Sequence, residues 1–217
     1  MPAVRFPDPR LADEEGLVAI GGDLRPTTVM TAYRCGIFPW PTEGLPMLWF
    51  SPAARGVLRF ADLHLPRSLR RAMRQARWTF TIDRSFAAVI DACASAPRPG
   101  QDGTWITRHV RDAYIHLHRL GHAHSAEVWD GEELVGGIYG VDVDGAFAGE
   151  SMFHRRPNAS KAALLHLVGH LSARGLDWLD IQVMTPHMER LGARPLPRDA
   201  FLDLLADTRG RGLVLFD

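Results

Sequence analysis

Lysine is almost missing from this chain: Lys161 is the only one among 25 Lys and Arg residues. An arginine bias of that kind follows most simply from genome base composition. Cysteine is scarce too. Cys35 and Cys93 are too few for a disulfide framework, which leaves two reduced thiols and an intracellular compartment as the expectation. Net charge is also lacking, because 25 Asp and Glu balance the 25 basic residues, so overall charge selects no partner. No run of about 18 apolar residues is available to span a membrane. The opening "MPAVRFPDPRLADEEG" has acids and prolines where a signal peptide needs a basic start and an apolar core, so a cytoplasmic location is expected. A glycine-rich phosphate loop, a nucleophile elbow and clear Cys/His metal spacing are all absent. "HLHRLGHAH" offers His116, His118, His122 and His124, but residues two apart on a helix diverge by about 200°. No metal is expected.

What is present is an ordinary globular composition, 46% apolar and 23% charged, over 217 residues, enough for one domain with an appendage or two small domains. Residues 1–62 are rich in Pro, Gly and Trp, and one helix is expected from Pro26 to Cys35, with Pro at its first turn and Gly36 after its end. "GIFPWPTEGLPMLWFSP", with four prolines, reads as a loop held by aromatic packing. Residues 65–78 read as a helix. Arg67, Arg70, Arg71, Arg74 and Arg77 fall within an arc of roughly 120° on it, and no acids interleave to pair with them. A further helix is expected over 107–120, then strands over 123–129, 133–143 and 146–153 separated by Asp130-Gly131 and Asp144-Gly145. A helix over 160–174, a strand from Trp178, and a helix capped by Thr185 complete an α+β or α/β pattern.

Two strands carry acids that an apolar strand does not need. In "WLDIQV", Asp180 and Gln182 are set among core residues, and in "AFAGESMF" Glu150 has only small or apolar neighbours. Two-residue spacing puts Asp180 and Gln182 on one face, and Glu150 on one face with Ala146, Ala148 and Met152. A buried carboxylate is costly unless it is paired or functional, so Asp180 with Glu150 marks a candidate cleft.

Read together, "GLVAIGGDL", "AYRCGIFPW", "LWFSP", "GTWIT", "GHAHSAEVW", "ELVGGIYGV", "GESMFHRRPNASKAAL", "LDIQVMTPHMERLGA" and "PLPR" resemble the leucyl/phenylalanyl-tRNA–protein transferases, in family order over residues 16–198. The resemblance implies an α+β protein. A small N-terminal domain over 1–62 would line the aminoacyl-adenosine site, and a GNAT-like (acyl-CoA N-acyltransferase) catalytic domain would cover 63–217. It implies transfer of Leu, Phe or Met from aminoacyl-tRNA to proteins or peptides with N-terminal Arg or Lys, marking them for N-degron degradation, with no cofactor, metal or membrane. By the same resemblance Asp180 would either draw the proton from the attacking amine or act as an electrostatic and positioning group. Gln182 would orient the groups, the ribose hydroxyl of the tRNA would be an alternative proton relay, and Glu150 would bind the aminoacyl amino group. Trp40, Trp105, Ser151 and Phe153 would hold adenosine and substrate. Ile138, Phe147, Leu164, Leu167 and Leu171 would form the side-chain pocket, and leucine at 167 and 171 in place of larger aromatics would alter the Leu/Phe/Met preference. The arginine face would carry the tRNA phosphates, and Lys161 stands at a helix start that could either face a phosphate or serve as a cap. Three other readings stand beside this one, the most distant being an aminoacyl-tRNA-dependent transferase that acts on a cell-wall peptide. An acetyl-CoA-dependent N-acetyltransferase would need glycine where "HRRPNASKAA" has none, and a non-catalytic tRNA-binding protein would leave Asp180, Gln182 and Glu150 without a task.

Overall fold

In this computed structural model the described residues are 5–42, 44–96 and 104–216, with the side chains of Ser68, Ala72 and Arg74 outside the description. A three-stranded antiparallel sheet forms near the N-terminus from β1 (Leu17–Ile20), β2 (Phe38–Trp40) and β3 (Leu48–Phe50), in the order β1-β3-β2. The segment expected to be a loop thus contains two strands of three residues each, kept short by Pro39, Pro41 and Pro46. Trp49 anchors this sheet, donating its indole N–H to Gly21 O at 2.8 Å and meeting the Phe6 ring edge-on at 4.9 Å. Helix α1 (Pro26–Arg34) starts on Pro26 as the sequence predicts, and Gly36 reverses the chain at φ 74°.

The larger sheet has seven strands in the order β10-β4-β9-β8-β7-β6-β5. They are β4 (Ala54–Arg59), β5 (Trp78–Ile82), β6 (Ala123–Asp130), β7 (Glu133–Val143), β8 (Ala146–His154), β9 (Trp178–Gln182) and β10 (Arg194–Pro197). Neighbours run antiparallel except β8 and β9, which are parallel. The β7/β8 turn at Asp144-Gly145 has φ 53° and 96°, the two positive values that a two-residue hairpin of type I′ requires. Strand β4 lies inside this sheet although it falls before residue 62.

Helices are α2 (Arg67–Gln75), α3 (Phe86–Ser95), α4 (Arg108–Arg119), α5 (Ala159–Ala173), α6 (Pro186–Arg190) and α7 (Arg198–Gly210). Two adjacent glycines show how the sheet is covered. A Cβ on Gly136 would strike Ala159 of α5 at 2.6 Å, and one on Gly137 would meet Val89 of α3 at 3.1 Å, so α5 and α3 cover opposite faces. Among the described residues no helix is long and apolar enough to cross a membrane. Helix α2 ends three residues before the predicted limit, because Trp78, expected in the helix, opens β5, which pairs with β6.

Candidate active site

Strands β8 and β9 share a single register pair, Ala148 with Asp180, and no ladder joins them further on. Glu150 and Gln182 each lie two residues beyond that pair, and their side chains meet across the gap, Gln182 Nε2 donating to Glu150 Oε1 at 2.6 Å. Both strands bulge here. On β8, Gly149 pairs with Gly140 and Ser151 with Tyr139, which leaves Glu150 as the extra residue. On β9, Asp180 pairs with Val57 and Gln182 with Gly56, which leaves Ile181 extra, and Gln182 adopts φ 60°. A bulge breaks the two-residue alternation. Asp180 and Gln182 nevertheless turn to different partners, Arg55 for the one and Glu150 for the other.

Asp180 turns to Arg55 of β4. The guanidinium donates through Nε to Oδ1 at 2.8 Å and through Nη2 to Oδ2 at 2.7 Å, with side-chain exposures of 1% and 7%. The Gln182 backbone N–H adds a third bond to Asp180 Oδ1 at 2.8 Å. Arg55 also donates through Nη1 to Gly36 O at 3.1 Å and lies between the rings of Phe38 and Phe201, 4.6 and 4.5 Å from their centroids. Asp180 is thus a buried, bidentate partner of a guanidinium rather than a carboxylate turned to an open cleft.

Glu150 is the more open acid, half-buried, and among the described residues no cation pairs with it. Its partners are neutral donors: Tyr33 of α1 at 2.6 Å on Oε1, Gln182 on the same oxygen, and Tyr114 of α4 at 3.3 Å on Oε2. The two phenol oxygens are 2.6 Å apart. Burial, together with the negative charge of Asp180, pushes the Glu150 carboxyl up to about 7, against the pull of these hydrogen bonds. Burial first, and then the charge of Glu150, raises both tyrosines well above the usual phenol range, so they stay neutral donors.

Trp105 packs edge-on against Tyr114 at 6.3 Å, and Trp40 edge-on against Phe38 at 6.1 Å. A continuous chain of contacts therefore runs from Trp40 through Phe38, Arg55, Asp180, Gln182, Glu150 and Tyr114 to Trp105. Trp40 is 40% exposed and Trp105 half-buried, so each has ring surface left for another group. The chemistry available is that of a narrow gap with one ionisable acid, an amide, a fixed ion pair beneath and aromatic rings at its rims.

Two family profiles match this chain. Residues 57–206 match "Leucyl/phenylalanyl-tRNA protein transferase", and residues 22–53 match that enzyme's N-terminal domain. The chain belongs to the leucyl/phenylalanyl-tRNA protein transferase family. A transferase of that name from Anaeromyxobacter sp. (strain Fw109-5) is 53% identical over 92% of this chain and 85% of its own length. One from Shewanella sp. (strain W3-18-1) is 49% identical over 95% of this chain and 88% of its own. Among solved structures, L-PGS from Bacillus licheniformis is similar at a TM-score of 0.43 and 14% identity, over 69% of this chain and 48% of that one. So remote a likeness carries no weight for fold or function.

In this family member the residues predicted from sequence fall into four groups. Asp180, Gln182 and Glu150 come together, with Trp40 and Trp105 at the two ends of the contact chain. Ser151 follows Glu150 in the bulge, and Phe153 walls a cavity of about 490 Å³ with Ala88, Asp91, Ser95, His154 and Arg155. Ile138, Phe147, Leu164, Leu167 and Leu171 are all buried, and Phe147 meets the Phe216 ring at 5.5 Å. Arg67, Arg70, Arg71 and Arg77 are exposed on and just after α2, while the Arg74 side chain lies outside the described residues. Sequence reasoning missed Arg55, Tyr33 and Tyr114. A usable signal existed for the tyrosines, since a phenol on the apolar side of a helix needs a buried partner for its hydroxyl.

Proposed function

We propose that the gap between β8 and β9 moves Leu, Phe or Met from aminoacyl-tRNA to the N-terminal Arg or Lys of a protein, by aminolysis of the aminoacyl ester. The observation that carries this reading is the meeting of Glu150 and Gln182 over the Arg55/Asp180 pair. An acid open to an amine, an amide acceptor and a fixed anion suit a reaction whose electrophile arrives already activated. The product would carry a destabilising N-terminal residue and be marked for degradation.

Asp180 contributes a fixed negative charge and holds the Gln182 backbone, and Gln182 offers its amide oxygen to the acceptor amine. Glu150 accepts a hydrogen bond from the amino group of the aminoacyl residue. Trp40 and Trp105, with Ser151 and Phe153, pack around the terminal adenosine, as suits stacking on aromatic rings. Ile138, Phe147, Leu164, Leu167 and Leu171 form the side-chain pocket. Arg67, Arg70, Arg71, Arg74 and Arg77 follow the acceptor-stem phosphates without reading bases. A GNAT-like arrangement, with a parallel strand pair splayed around the substrate and joined by a helix, agrees with β8, α5 and β9.

The test is transfer of radiolabelled leucine from Leu-tRNA to peptides beginning with Arg, Lys or Ala. Label on the Arg and Lys peptides but not on the Ala peptide is the expected result. Tight tRNA binding with no label on any peptide refutes the reading.

A further inference from the structure

Resting on that reading, we infer that Glu150, rather than Asp180, takes the proton lost by the attacking amine and returns it to the departing ribose oxygen. Asp180 is poorly placed for that task. A carboxylate has about four lone-pair sites, and three of those on Asp180 are filled by Arg55 Nε, Arg55 Nη2 and the Gln182 N–H. A proton placed there would disrupt a buried bidentate pair, and Arg55 is fixed in turn by Gly36 O and two aromatic rings. The Gln182 amide is no base, since amide oxygens take protons only in strong acid. Glu150 differs on each count. It is half-buried in a bulge beside the gap, lacks a cationic partner among the described residues, and its Oε2 carries only one long bond, from Tyr114 at 3.3 Å.

The groups that face Glu150 are Tyr33 on α1, Tyr114 on α4, and Gln182 and Asp180 on β9, with Arg55 on β4 behind Asp180. Their net effect holds the Glu150 carboxyl at about 7, where it is shared between its two forms at neutral pH. The step balances without a further reactant. The neutral α-amine adds to the ester carbonyl, forming the C–N bond; the adduct nitrogen loses its proton to Glu150; the C–O bond to ribose breaks; and Glu150 protonates the released oxygen. Tyr33 and Tyr114 act as positioning residues that tune the acid.

The experiment is single-turnover transfer of leucine from enzyme-bound Leu-tRNA to a saturating Arg-initiated peptide, followed from pH 5.5 to 9 for wild type, Glu150→Gln and Tyr33→Phe, with affinity for Leu-tRNA measured in parallel. The acceptor amine titrates near 8 in every protein, so the lower limb of the profile is diagnostic. Wild type is expected to show that limb near 7. Glu150→Gln, compared at saturating Leu-tRNA so that any loss of affinity is set aside, should lose the limb and about a hundredfold or more in rate. Tyr33→Phe removes a donor to the charged form, so its limb should move up by about one to two pH units, with the rate recovering at high pH. The inference is overturned if Glu150→Gln keeps the lower limb, or if its whole defect lies in Leu-tRNA affinity. It is equally overturned if Tyr33→Phe leaves the limb in place, which decides the matter should Glu150→Gln fail to fold. Absence of transfer by wild type would instead sink the transferase reading itself.

Discussion

Arg55→Met removes the guanidinium from beneath the site and leaves the Asp180 carboxylate, 7% exposed, with the Gln182 N–H as its remaining described partner. Three hydrogen bonds go, two to Asp180 and one to Gly36 O, together with the packing between Phe38 and Phe201. Breaking a buried pair from one side costs about 3–5 kcal/mol, since a charge is left without compensation. For a chain of this size that lowers Tm by about 6–20 °C. Asp180→Leu should cost a similar amount, because it leaves the guanidinium buried with one carbonyl and two rings. The double variant Arg55→Met/Asp180→Leu replaces the pair by apolar groups and should cost far less than the sum, a coupling of about 3 kcal/mol. Urea unfolding at pH 7, followed by circular dichroism and tryptophan fluorescence for all three variants, measures these values. Single variants each costing under about 1 kcal/mol, or a double variant whose cost is their plain sum, would show that Arg55 and Asp180 do not act as a unit. The double variant should fold yet transfer slowly, because the Gln182 backbone loses its carboxylate anchor.

Glu150 also ties stability to pH. Its carboxyl is raised from 4.5 to about 7 in the fold, so the stability it contributes is complete below 4.5 and is lost as pH rises through about 7. Urea midpoints should therefore show the advantage of Glu150→Gln over wild type growing across that window, by up to about 3 kcal/mol; an advantage constant with pH would refute this. Gly192→Ala forces a side chain onto φ 106° and within 2.0 Å of Asp62 O, so a thermal melt should register a loss of about 2 kcal/mol or more. Trp40→Ala, at an exposed ring, should leave Tm unchanged while weakening aminoacyl-tRNA binding by about 1–3 kcal/mol in filter assays. Arg67→Glu with Arg71→Glu should weaken tRNA binding and flatten its salt dependence by about 0.7–0.9 for each phosphate that is no longer neutralised.

The sequence carried much of this fold because its punctuation is local. Asp130-Gly131 and Asp144-Gly145 mark the two hairpin turns, Pro26 and Gly36 bracket α1, and the Thr185 hydroxyl accepts the Met188 N–H as a cap should. What escaped was set by partners distant in the chain. Alternation cannot reveal a bulge, since a bulge exists only relative to the neighbouring strand; Glu150 and Ile181 are extra residues because of how Tyr139, Gly140, Gly56 and Val57 pair with their surroundings. Arg55 in "AARGVLRF" reads as an ordinary edge charge until β4 is known to lie between β10 and β9. The short strand β5, "WTFTI", follows directly on an arginine-rich helical run, which hides it. Trp40, Trp105, Glu150, Asp180 and Gln182 stand out in the sequence through their motifs, whereas the tyrosines that bond Glu150 and the arginine that bonds Asp180 do not.

The placement of β4 has a consequence for how such a chain is made. Arg55 and Asp180 are 125 residues apart in sequence, and β4 takes its two neighbours from residues 178–182 and 194–197. At about 5–20 residues per second, β4 leaves the ribosome many seconds before either neighbour exists. Closing so long a loop also slows folding. During that interval Arg55 lacks its Asp180 carboxylate and Glu150 has no Gln182 amide opposite it. A nascent chain therefore has neither the Arg55–Asp180 pair nor the Glu150–Gln182 contact until β9 has been made.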